Sequence, residues 1–478
     1  MYECWVLKMF INFNKTNNKS AFNEYLASIT ACILGFSVGI HTGWTSPFIP
    51  KLKISEGYPF DISSEAASYI AIFGPIGDII GAILSMLVID RIGRKKTLIT
   101  LGIPMVFSCV LFYLSDTSPI LLYIARISGG ITSGTFTMVT PIYISEISRP
   151  LIRGKLGILV VFSFTSGLLG VNLVGKYLNH LDSSLIFLVI ILTFLSLFSM
   201  MPETPYYLLM KDNVVEAEKS LVFLRRSQIV RDELWSLSED VQRQLSESGT
   251  FSDLFKIDSN KRALLLMISG RSFQQLTGAV SFIMYARSII EDAEDIVNPE
   301  IAMIVITSIQ IWFGLLSGIL ADKFGRIPLI TFSTAVCFVT LNALGSYFVL
   351  RDYSNLRLPV WTPVLVLFIH FCVLQFGIGS LLSVMVGEFF SASIKPKALC
   401  IVNISLAGAV IITTKFYQVC TDYMHTSVCF FVFAVCCLIG TIYIKLLFPE
   451  TNGKTLEQIQ MELKKITSKK NVVNASSA

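Results

Sequence analysis

Long apolar stretches separated by short polar segments form the main pattern of this 478-residue chain. A hydrocarbon layer of about 30 Å is crossed by about 20 apolar residues in a helix. Each stretch therefore predicts one membrane-spanning helix, and the pattern repeats twelve times. The predicted spans are residues 28–48, 66–89, 97–115, 119–143, 155–177, 184–201, 263–289, 299–321, 328–349, 361–386, 398–419 and 427–447.

The composition agrees with lipid as the main solvent of the chain. Hydrophobic residues make up 53% and charged residues only 15%, whereas soluble domains carry about 25% charged residues. The net charge of +5 is spread over short loops, so nucleic acid is not an expected partner. The sequence has no phosphate-binding Gly-Lys-Ser/Thr loop and no cluster of metal ligands. We therefore expect no enzyme activity, no cofactor and no metal.

Basic residues concentrate in alternate loops, which predicts the orientation of the spans. The loops after the second, fourth, eighth and tenth spans are basic, whereas the segment 291–300 between the seventh and eighth spans is acidic. Because Lys and Arg are enriched in cytoplasmic loops, both termini are predicted to lie in the cytoplasm. The expected location is the cell membrane, which the chain crosses many times.

A charged segment divides the spans into two groups of six. Residues 202–262 lack long apolar runs and contain charged, helix-favouring residues such as Glu216, Lys219 and Arg225. The predicted organisation is a cytoplasmic tail (1–26), a six-helix bundle (27–201), a cytoplasmic linker with short helices (202–262), a second six-helix bundle (263–448) and a cytoplasmic tail (449–478).

Short motifs recur at equivalent places in the two bundles. Asp90-Arg-Ile-Gly-Arg94 follows the second span, and Asp322-Lys-Phe-Gly-Arg326 follows the eighth. A second set recurs with equal spacing after the fourth and tenth spans: Glu146 and Arg153, then Glu388 and Lys395. Two pseudo-repeated bundles are typical of transporters in which one bundle rocks against the other around a central site.

Further motifs accompany this repeat along nearly the whole chain. They are Gly43-Trp-Thr-Ser-Pro47, Pro141-Ile-Tyr-Ile-Ser-Glu146, Arg153-Gly154, Pro202-Glu-Thr-Pro205, Gln274-Gln-Leu-Thr-Gly278 and Pro449-Glu-Thr-Asn-Gly-Lys-Thr-Leu456. In this order the set resembles the sugar porters of the major facilitator superfamily, and is most like the insect facilitated trehalose transporter group. The resemblance implies an all-α membrane protein with twelve transmembrane helices in two pseudo-repeated bundles of six.

Four glutamines inside predicted spans are the candidate substrate ligands. A buried amide is costly in lipid, so an intramembrane glutamine is a functional candidate by default. Gln274 and Gln275 match the paired glutamines that bind sugar hydroxyls in the family, and Gln310 and Gln375 match further polar positions. The alternative role of each is a hydrogen bond between neighbouring helices.

Several positions depart from the family pattern. The expected fifth-span glutamine is Val161, the seventh-span asparagine is Val280 and the tenth-span tryptophan is Ser383. The expected Asn-Trp pair of the eleventh span reads Leu406 and Ala407. Each missing hydrogen bond costs about 0.5–1.5 kcal/mol. These losses predict weak sugar affinity or a different ligand.

The resemblance also implies a cytoplasmic latch of charged residues. In the family such pairs hold the outward-open state and break when the inner gate opens. A solvated basic edge explains Lys95 and Lys96 better, but it does not explain the repeated carboxylates. The predicted latch residues are Asp90, Arg94, Glu146, Arg153, Asp322, Arg326 and Glu388.

The first span lacks the carboxylate that proton-coupled relatives carry. That position is Ser37, whereas the fourth-span arginine, Arg126, is retained. Serine does not titrate near neutral pH, so we expect transport that is not coupled to protons. His41 and His370 also lie within spans, where a polar contact between helices is the simpler role.

Two cysteines flank the predicted outer loop between the last two spans. Cys420 and Cys429 are open to two interpretations, a disulfide or two free thiols. For cysteines inside the spans, packing as small hydrophobic residues is the simpler role.

The residues and the resemblance together predict facilitative transport (uniport) of a sugar, trehalose or a hexose, across the plasma membrane by alternating access. The alternative is a non-transporting sugar sensor on the same fold, or a porter for a less polar solute. The expected partners are the sugar and the lipid bilayer, and no obligate protein partner is implied.

Overall fold

The structure, a computed structural model, consists of helices and their connections throughout the part of the chain that it describes. That part comprises residues 21–54, 60, 62–246, 250–283, 298–353, 359, 361–390, 394–454, 458–459 and 461–463. No β-strand occurs within it.

The first six spans consist of eight helices, because the first and third spans are each divided in two. In chain order the helices are α1 (Phe22–Gly43), α2 (Thr45–Ile54), α3 (Ser64–Ile92), α4 (Arg94–Thr100), α5 (Ile103–Tyr113), α6 (Ile120–Ile147), α7 (Pro150–Tyr177) and α8 (His180–Ser199). Both divisions have the same cause. Pro47 and Pro104 stand four residues after the last residue of α1 and of α4, where each lacks the N–H that would bond to that residue.

Four short helices follow the sixth span and precede the seventh. They are α9 (Pro205–Met210), α10 (Val214–Arg225), α11 (Arg231–Ser246) and α12 (Asp253–Lys256). The remaining helices are α13 (Asp258–Leu276), α14 (Pro299–Phe324), α15 (Arg326–Tyr353), α16 (Thr362–Leu374), α17 (Ser380–Phe389), α18 (Lys395–Tyr423) and α19 (Thr426–Leu447).

The seventh and tenth spans are interrupted near their middle. α13 ends at Leu276, Gly278 adopts a φ of 81°, and residues 279–283 are helical again. α16 and α17 are joined by a π-helical segment, Gln375–Gly379. Such π segments are frequent at functional sites, and both interruptions lie next to predicted substrate residues.

Ten segments of the described chain are long and apolar enough to cross a membrane. The two predicted spans outside this set are α6 and the span that begins with α13. The sequence of α6 contains Arg126 within a run rich in Gly, Ser and Thr, and α13 contains Lys261, Arg262 and Arg271. Their lower hydropathy comes from these polar residues, and the predicted twelve-helix fold class is confirmed by the fold comparison given below.

Glycines allow α3 and α6 to cross in close contact. A Cβ at Gly130 of α6 would lie 2.1 Å from the carbonyl oxygen of Gly74, and a Cβ at Gly77 of α3 would lie 2.2 Å from that of Ile127. α1 and α7 cross in the same way at Gly39. Small residues at a crossing let backbones approach in lipid, where van der Waals packing drives helix association.

The two groups of six spans contact each other along two pairs of helices. α3 packs on α18, and α7 packs on α14. At the predicted outer end, Lys51 Nζ lies 4.0 Å from Glu300 Oε1. Lys415 Nζ of α18 donates to Ser68 Oγ of α3 at 3.2 Å. These polar contacts join the first group of spans to the second.

Cys420 and Cys429 are buried free thiols, as are most of the described cysteines. The alternative of a disulfide between them is therefore not realised in the structure.

We predict that Gly130→Ala lowers the melting temperature of the detergent-solubilised protein. The added Cβ must displace the α3 backbone, and overpacking of this kind costs about 1–3 kcal/mol. Gly157→Ala in α7 is the matched control, since a Cβ there meets no atom within 4 Å. Equal melting temperatures for the two variants would show that the close crossing does not support the fold.

Candidate functional site

Gln274 is held between two helices of the second group of spans. Its Nε2 donates to the carbonyl oxygen of Gly379 at 2.8 Å, and its Oε1 accepts from Arg271 Nη1 at 2.7 Å. Gly379 is the last residue of the π segment. The two interrupted spans are therefore joined at their interruptions by the first of the predicted substrate glutamines.

The other three predicted glutamines are buried, and within the described residues their side chains have no hydrogen-bond partner. Gln275, Gln310 and Gln375 are 5%, 3% and 8% exposed. In the described part of the chain, no hydrogen bond reaches the side-chain amide of any of them, and the Oε1 of Gln275 is an orphaned buried atom. An unpaired buried amide costs about 1–3 kcal/mol on protein scales, so this arrangement is suited to a polar ligand.

The position of Gln375 brings two of these amides to one place. A Cβ at Gly314 of α14 would lie 3.3 Å from Gln375 Nε2, and Gln310 precedes Gly314 by one helical turn on α14. Residues one turn apart share a helix face. The amides of Gln310 and Gln375 therefore lie on the facing surfaces of α14 and the π segment.

Arg271 is a polar residue of this region that the sequence analysis did not identify. Its Nη1 donates to Gln274 Oε1 and, at 2.8 Å, to Ser383 Oγ of α17. The signal was available, because a basic residue three positions before Gln274 falls inside the predicted seventh span. Ser383 stands where the family pattern predicts tryptophan.

Arg126 occupies the corresponding interior of the first group of spans. It is 1% exposed, its Nε donates to the carbonyl oxygen of Ile70 at 3.0 Å, and its Nη1 donates to that of His41. Ser37 donates to the carbonyl oxygen of Ile33 at 3.2 Å. Neither side chain contacts the other, so the predicted coupling position holds no ion pair with Arg126 in the described residues.

A carboxylate nevertheless lies close to Arg126, on a helix that the sequence analysis did not consider. Asp78 of α3 interacts electrostatically with Arg126 and forms a hydrogen bond with Ser133 of α6. The signal was a lone carboxylate within the predicted span 66–89. The carboxyl group that interacts with Arg126 therefore comes from α3 rather than from α1.

The two histidines of the spans are buried between helices. His370 Nδ1 lies 2.9 Å from Thr340 Oγ1, and its Nε2 has no hydrogen bond among the described residues. His41 packs against Gly129, where a Cβ would lie 2.3 Å from its ring.

At the predicted cytoplasmic end, a glutamate caps the N-terminus of a helix in each half. Glu203 accepts from the backbone N–H groups of Arg94 and Lys95 at 3.0 Å, and Glu450 accepts from those of Arg326 and Ile327 at 3.0 Å. A carboxylate is favourable here because the first turn of a helix carries unbonded N–H groups and a positive partial charge. Both glutamates belong to a Pro-Glu-Thr sequence.

Glycines permit these caps to approach. Gly93 and Gly325 precede the capped helices with φ values of 98° and 87°. A Cβ would lie 2.3 Å from Glu203 Oε2 at the first position and 2.7 Å from Glu450 Oε2 at the second. This explains the glycine in both copies of the repeated motif.

The arginines of the repeated motif pair with the predicted latch glutamates. Arg94 Nε lies 3.0 Å from Glu146, and its Nη1 lies 3.2 Å from Asp90. In the second half, Arg326 Nη2 lies 2.8 Å from Glu388. The two halves thus repeat the arginine–glutamate pair.

Two predicted latch residues lie outside these pairs. The side chain of Asp322 is exposed and has no ion pair among the described residues, although its backbone carbonyl accepts from Asn452. Arg153 donates to the carbonyl oxygen of Ser148 at 3.5 Å and likewise meets no carboxylate within ion-pair distance in the described residues. Among the described residues, Arg326 of the second half therefore pairs with Glu388, whereas Arg94 of the first half pairs with both Glu146 and Asp90.

Lys395 lies near latch residues of both halves. It stands at the start of α18 and interacts electrostatically with Glu146 of the first half and with Glu388 of the second. Arg153 also faces Lys395. Charged groups from both halves therefore meet at the predicted cytoplasmic end.

Two opposing effects act on the pKa of Glu450. Burial alone raises it, but hydrogen bonds from four backbone N–H groups outweigh burial and hold the pKa below its ordinary value. The donors are Arg326, Asn452, Ile327 and Thr451. Because the folded-state pKa is lowered, these bonds stabilise the fold above the pKa of an unfolded glutamate. This contribution is lost as the pH falls through the lower, folded-state pKa.

The comparisons with known proteins identify first a class and then a family. The fold is that of the major facilitator transporters. The xylose transporter XylE from E. coli, in a partially occluded inward-open conformation, superposes with a TM-score of 0.76 at 20% identity, over 90% of this chain and 99% of that one. An auto-inhibited POT family peptide transporter gives a TM-score of 0.61 at 11% identity, over 91% and 99%.

The sequence matches are more specific. The family profile described as "Sugar (and other) transporter" matches residues 27–463, so the chain belongs to that family. The facilitated trehalose transporter Tret1 of Bombyx mori is 29% identical over 449 residues, which cover 92% of this chain and 87% of that protein. Its namesake in Culex quinquefasciatus is 25% identical over 93% and 86%. The predicted resemblance, and the prediction of a transporter rather than an enzyme, are confirmed.

We predict that Glu450→Gln lowers the melting temperature near pH 7, because glutamine cannot supply the charge that the helix N-terminus favours. A lost cap costs about 1 kcal/mol. The difference in melting temperature between the variant and wild type should shrink as the pH falls below the pKa of an unfolded glutamate, which is about 4.

Glu216→Gln is the control, since its pair with Lys219 is exposed. If the melting temperatures of Glu450→Gln and wild type differ by the same amount near pH 7 and below about pH 4, the charge of Glu450 does not stabilise the fold.

Proposed function

We propose that this protein carries a sugar, such as trehalose or a hexose, down its concentration gradient across the plasma membrane by alternating access. The observation that supports this most directly is the set of four buried glutamine amides, three at the interruptions of the seventh and tenth spans and one, Gln310, on α14. Three of them lack a partner within the described residues. A ligand with many hydroxyls supplies both donors and acceptors to such groups.

The family and the relatives support the same proposal. The relatives named above are facilitated trehalose transporters, and they align with this chain over most of its length. The predicted orientation places both termini and the linker 202–262 in the cytoplasm. Asp78 beside Arg126 is assigned the role of charge compensation, because Arg126 already donates to two backbone carbonyls.

The latch is assigned to the paired residues at the predicted cytoplasmic end. Arg94 with Glu146 and Arg326 with Glu388 stabilise the packing of each half, and Lys395 lies between the halves. A few kcal/mol suffice to bias a two-state equilibrium between outward-facing and inward-facing forms. Opening at this end requires Lys395 to separate from Glu146.

The proposal is tested by uptake of labelled trehalose and D-glucose into vesicles that contain the purified protein. Gln275→Ala removes an amide that bonds to no other described group, so it should raise KM about two- to tenfold without loss of fold. Gln242→Ala on the exposed face of α11 is the control. Equal uptake under inward and outward proton gradients is expected for uniport, and the absence of any uptake would favour a sensor.

We predict that Glu388→Gln shifts the protein toward the inward-facing form, because it weakens both the pair with Arg326 and the attraction for Lys395. The shift is measured as increased labelling, from the predicted cytoplasmic side, of a cysteine introduced near the π segment. Asp322→Asn is the matched control, since that carboxylate has no ion pair in the described residues. Equal shifts from both substitutions would contradict the assignment of the latch to Glu388.

A further inference from the structure

Arg271 carries a positive charge into the middle of the second group of spans. α13 rises about 1.5 Å per residue, so Arg271 lies about 14 Å along the helix from Arg262, the last basic residue before it. This depth is close to the centre of a hydrocarbon layer of about 30 Å. Charged residues at such depths are rare, and they mark substrate or ion pathways.

In the described part of the chain, no carboxylate pairs with Arg271. Its Nη1 donates to two neutral acceptors, Gln274 Oε1 and Ser383 Oγ. Its Nε is buried and has no acceptor among the residues that the structure describes. Arg126 provides the contrast, because two carbonyl oxygens accept from it and it interacts electrostatically with the carboxyl group of Asp78. The charge of Arg271 therefore lacks a counterion within the described protein.

Arg271 lies beside an exposed residue of α17. The residue is only partly buried, and Ser383, which accepts from it, is exposed. A charged group in a span faces the bundle interior or a water-filled cavity rather than the acyl chains. At position 383 the serine side chain is much shorter than the family's tryptophan.

Unpaired amides lie on the same helix and on a helix packed against it. Gln275 Oε1 is an orphaned acceptor on α13. Asn403 Nδ2 is an orphaned donor on α18, which packs on α13. A ligand beside Arg271 would therefore find one fixed positive charge, with hydrogen-bonding groups on both helices for its neutral part.

We propose that the substrate is a sugar acid, a polyhydroxylated ring with one carboxylate that binds Arg271. This inference rests on the proposed sugar transport and specifies its substrate class. One guanidinium neutralises one carboxylate, and such pairs form short, charge-assisted hydrogen bonds. A phosphate ester would bring a second negative charge that nothing described here compensates. At Val161, Val280 and Leu406 this chain lacks polar groups that bind a neutral sugar in the family. The positive charge of Arg271 is unaffected by these departures.

The test uses the full chain in vesicles and labelled D-glucuronate, D-glucose and trehalose. Wild type should carry D-glucuronate with a KM at least about tenfold below that of D-glucose, as a hydrogen bond to a charged group contributes more than a neutral one. Because uniport of a monoanion moves charge, a membrane potential that is positive inside should accelerate D-glucuronate uptake and leave D-glucose uptake unchanged.

Substitutions at Arg271 separate charge from structure. Arg271→Gln should raise the ratio of the KM for D-glucuronate to the KM for D-glucose about tenfold or more, and a melting temperature close to that of wild type shows that the variant folds. Arg271→Lys keeps the charge and should retain most of the affinity. Lys415→Gln, at the predicted outer end of α18, is the control for loss of a positive charge. If Arg271→Gln does not fold, the inference is tested by the KM of Arg271→Lys for D-glucuronate and by the effect of membrane potential on D-glucuronate uptake by wild type.

The possible failures are distinguishable. If neutral sugars are carried and D-glucuronate is neither carried nor competes, the sugar-acid inference is wrong and the proposed transport of a sugar stands. If no sugar and no D-glucuronate is carried, both are wrong. Stronger competition by D-glucose 6-phosphate than by D-glucuronate would overturn the assignment of a carboxylate.

Discussion

A polar group inside hydrocarbon has no water to bond with, and most features of this molecule are responses to that cost. The helices satisfy their own backbone groups. Where a helix is interrupted, as at the π segment, the carbonyl oxygen of Gly379 accepts from the side chain of Gln274. Arg126 is accommodated in the same way by two backbone carbonyls. The atoms that stay without a hydrogen bond in the described residues, among them Gln275 Oε1 and Arg271 Nε, are therefore the ones that a ligand could satisfy.

The same reasoning explains the device that is repeated at the predicted cytoplasmic end. The helix after each copy of the motif begins with unbonded N–H groups. Glu203, after the sixth span, and Glu450, after the twelfth, accept from these groups. Each cap requires a glycine with positive φ just before the helix, because a Cβ there would collide with the carboxylate. The cap, the glycine and the arginine that follows it form one structural unit, present once in each half. This unit fixes the ends of α3 and α14 against the segments after the sixth and twelfth spans.

Much of the fold and part of the site were predictable from residue types and their order. Apolar run lengths predicted the twelve spans, and paired motifs predicted the two halves. The buried positions of Gln274, Gln275, Gln310 and Gln375 followed from the cost of an amide in lipid. Asp78 and Arg271 were equally visible as charges inside predicted spans, but the resemblance to a family directed attention to other positions. The latch was predicted as a set of charges, without the means to tell Glu388 from Asp322 as the partner of Arg326.

What the sequence by itself determined is the class of protein, because hydrophobic run length and the distribution of charge act locally and are read directly from the chain. It also determined that glutamines and an arginine lie at bilayer depth. The partners of these groups were decided by the tertiary structure, since contacts such as Gln274 with Gly379 join residues 105 positions apart. The interruption of the tenth span as a π segment and the absence of a counterion for Arg271 in the described chain likewise depend on how neighbouring helices pack, which no local pattern encodes.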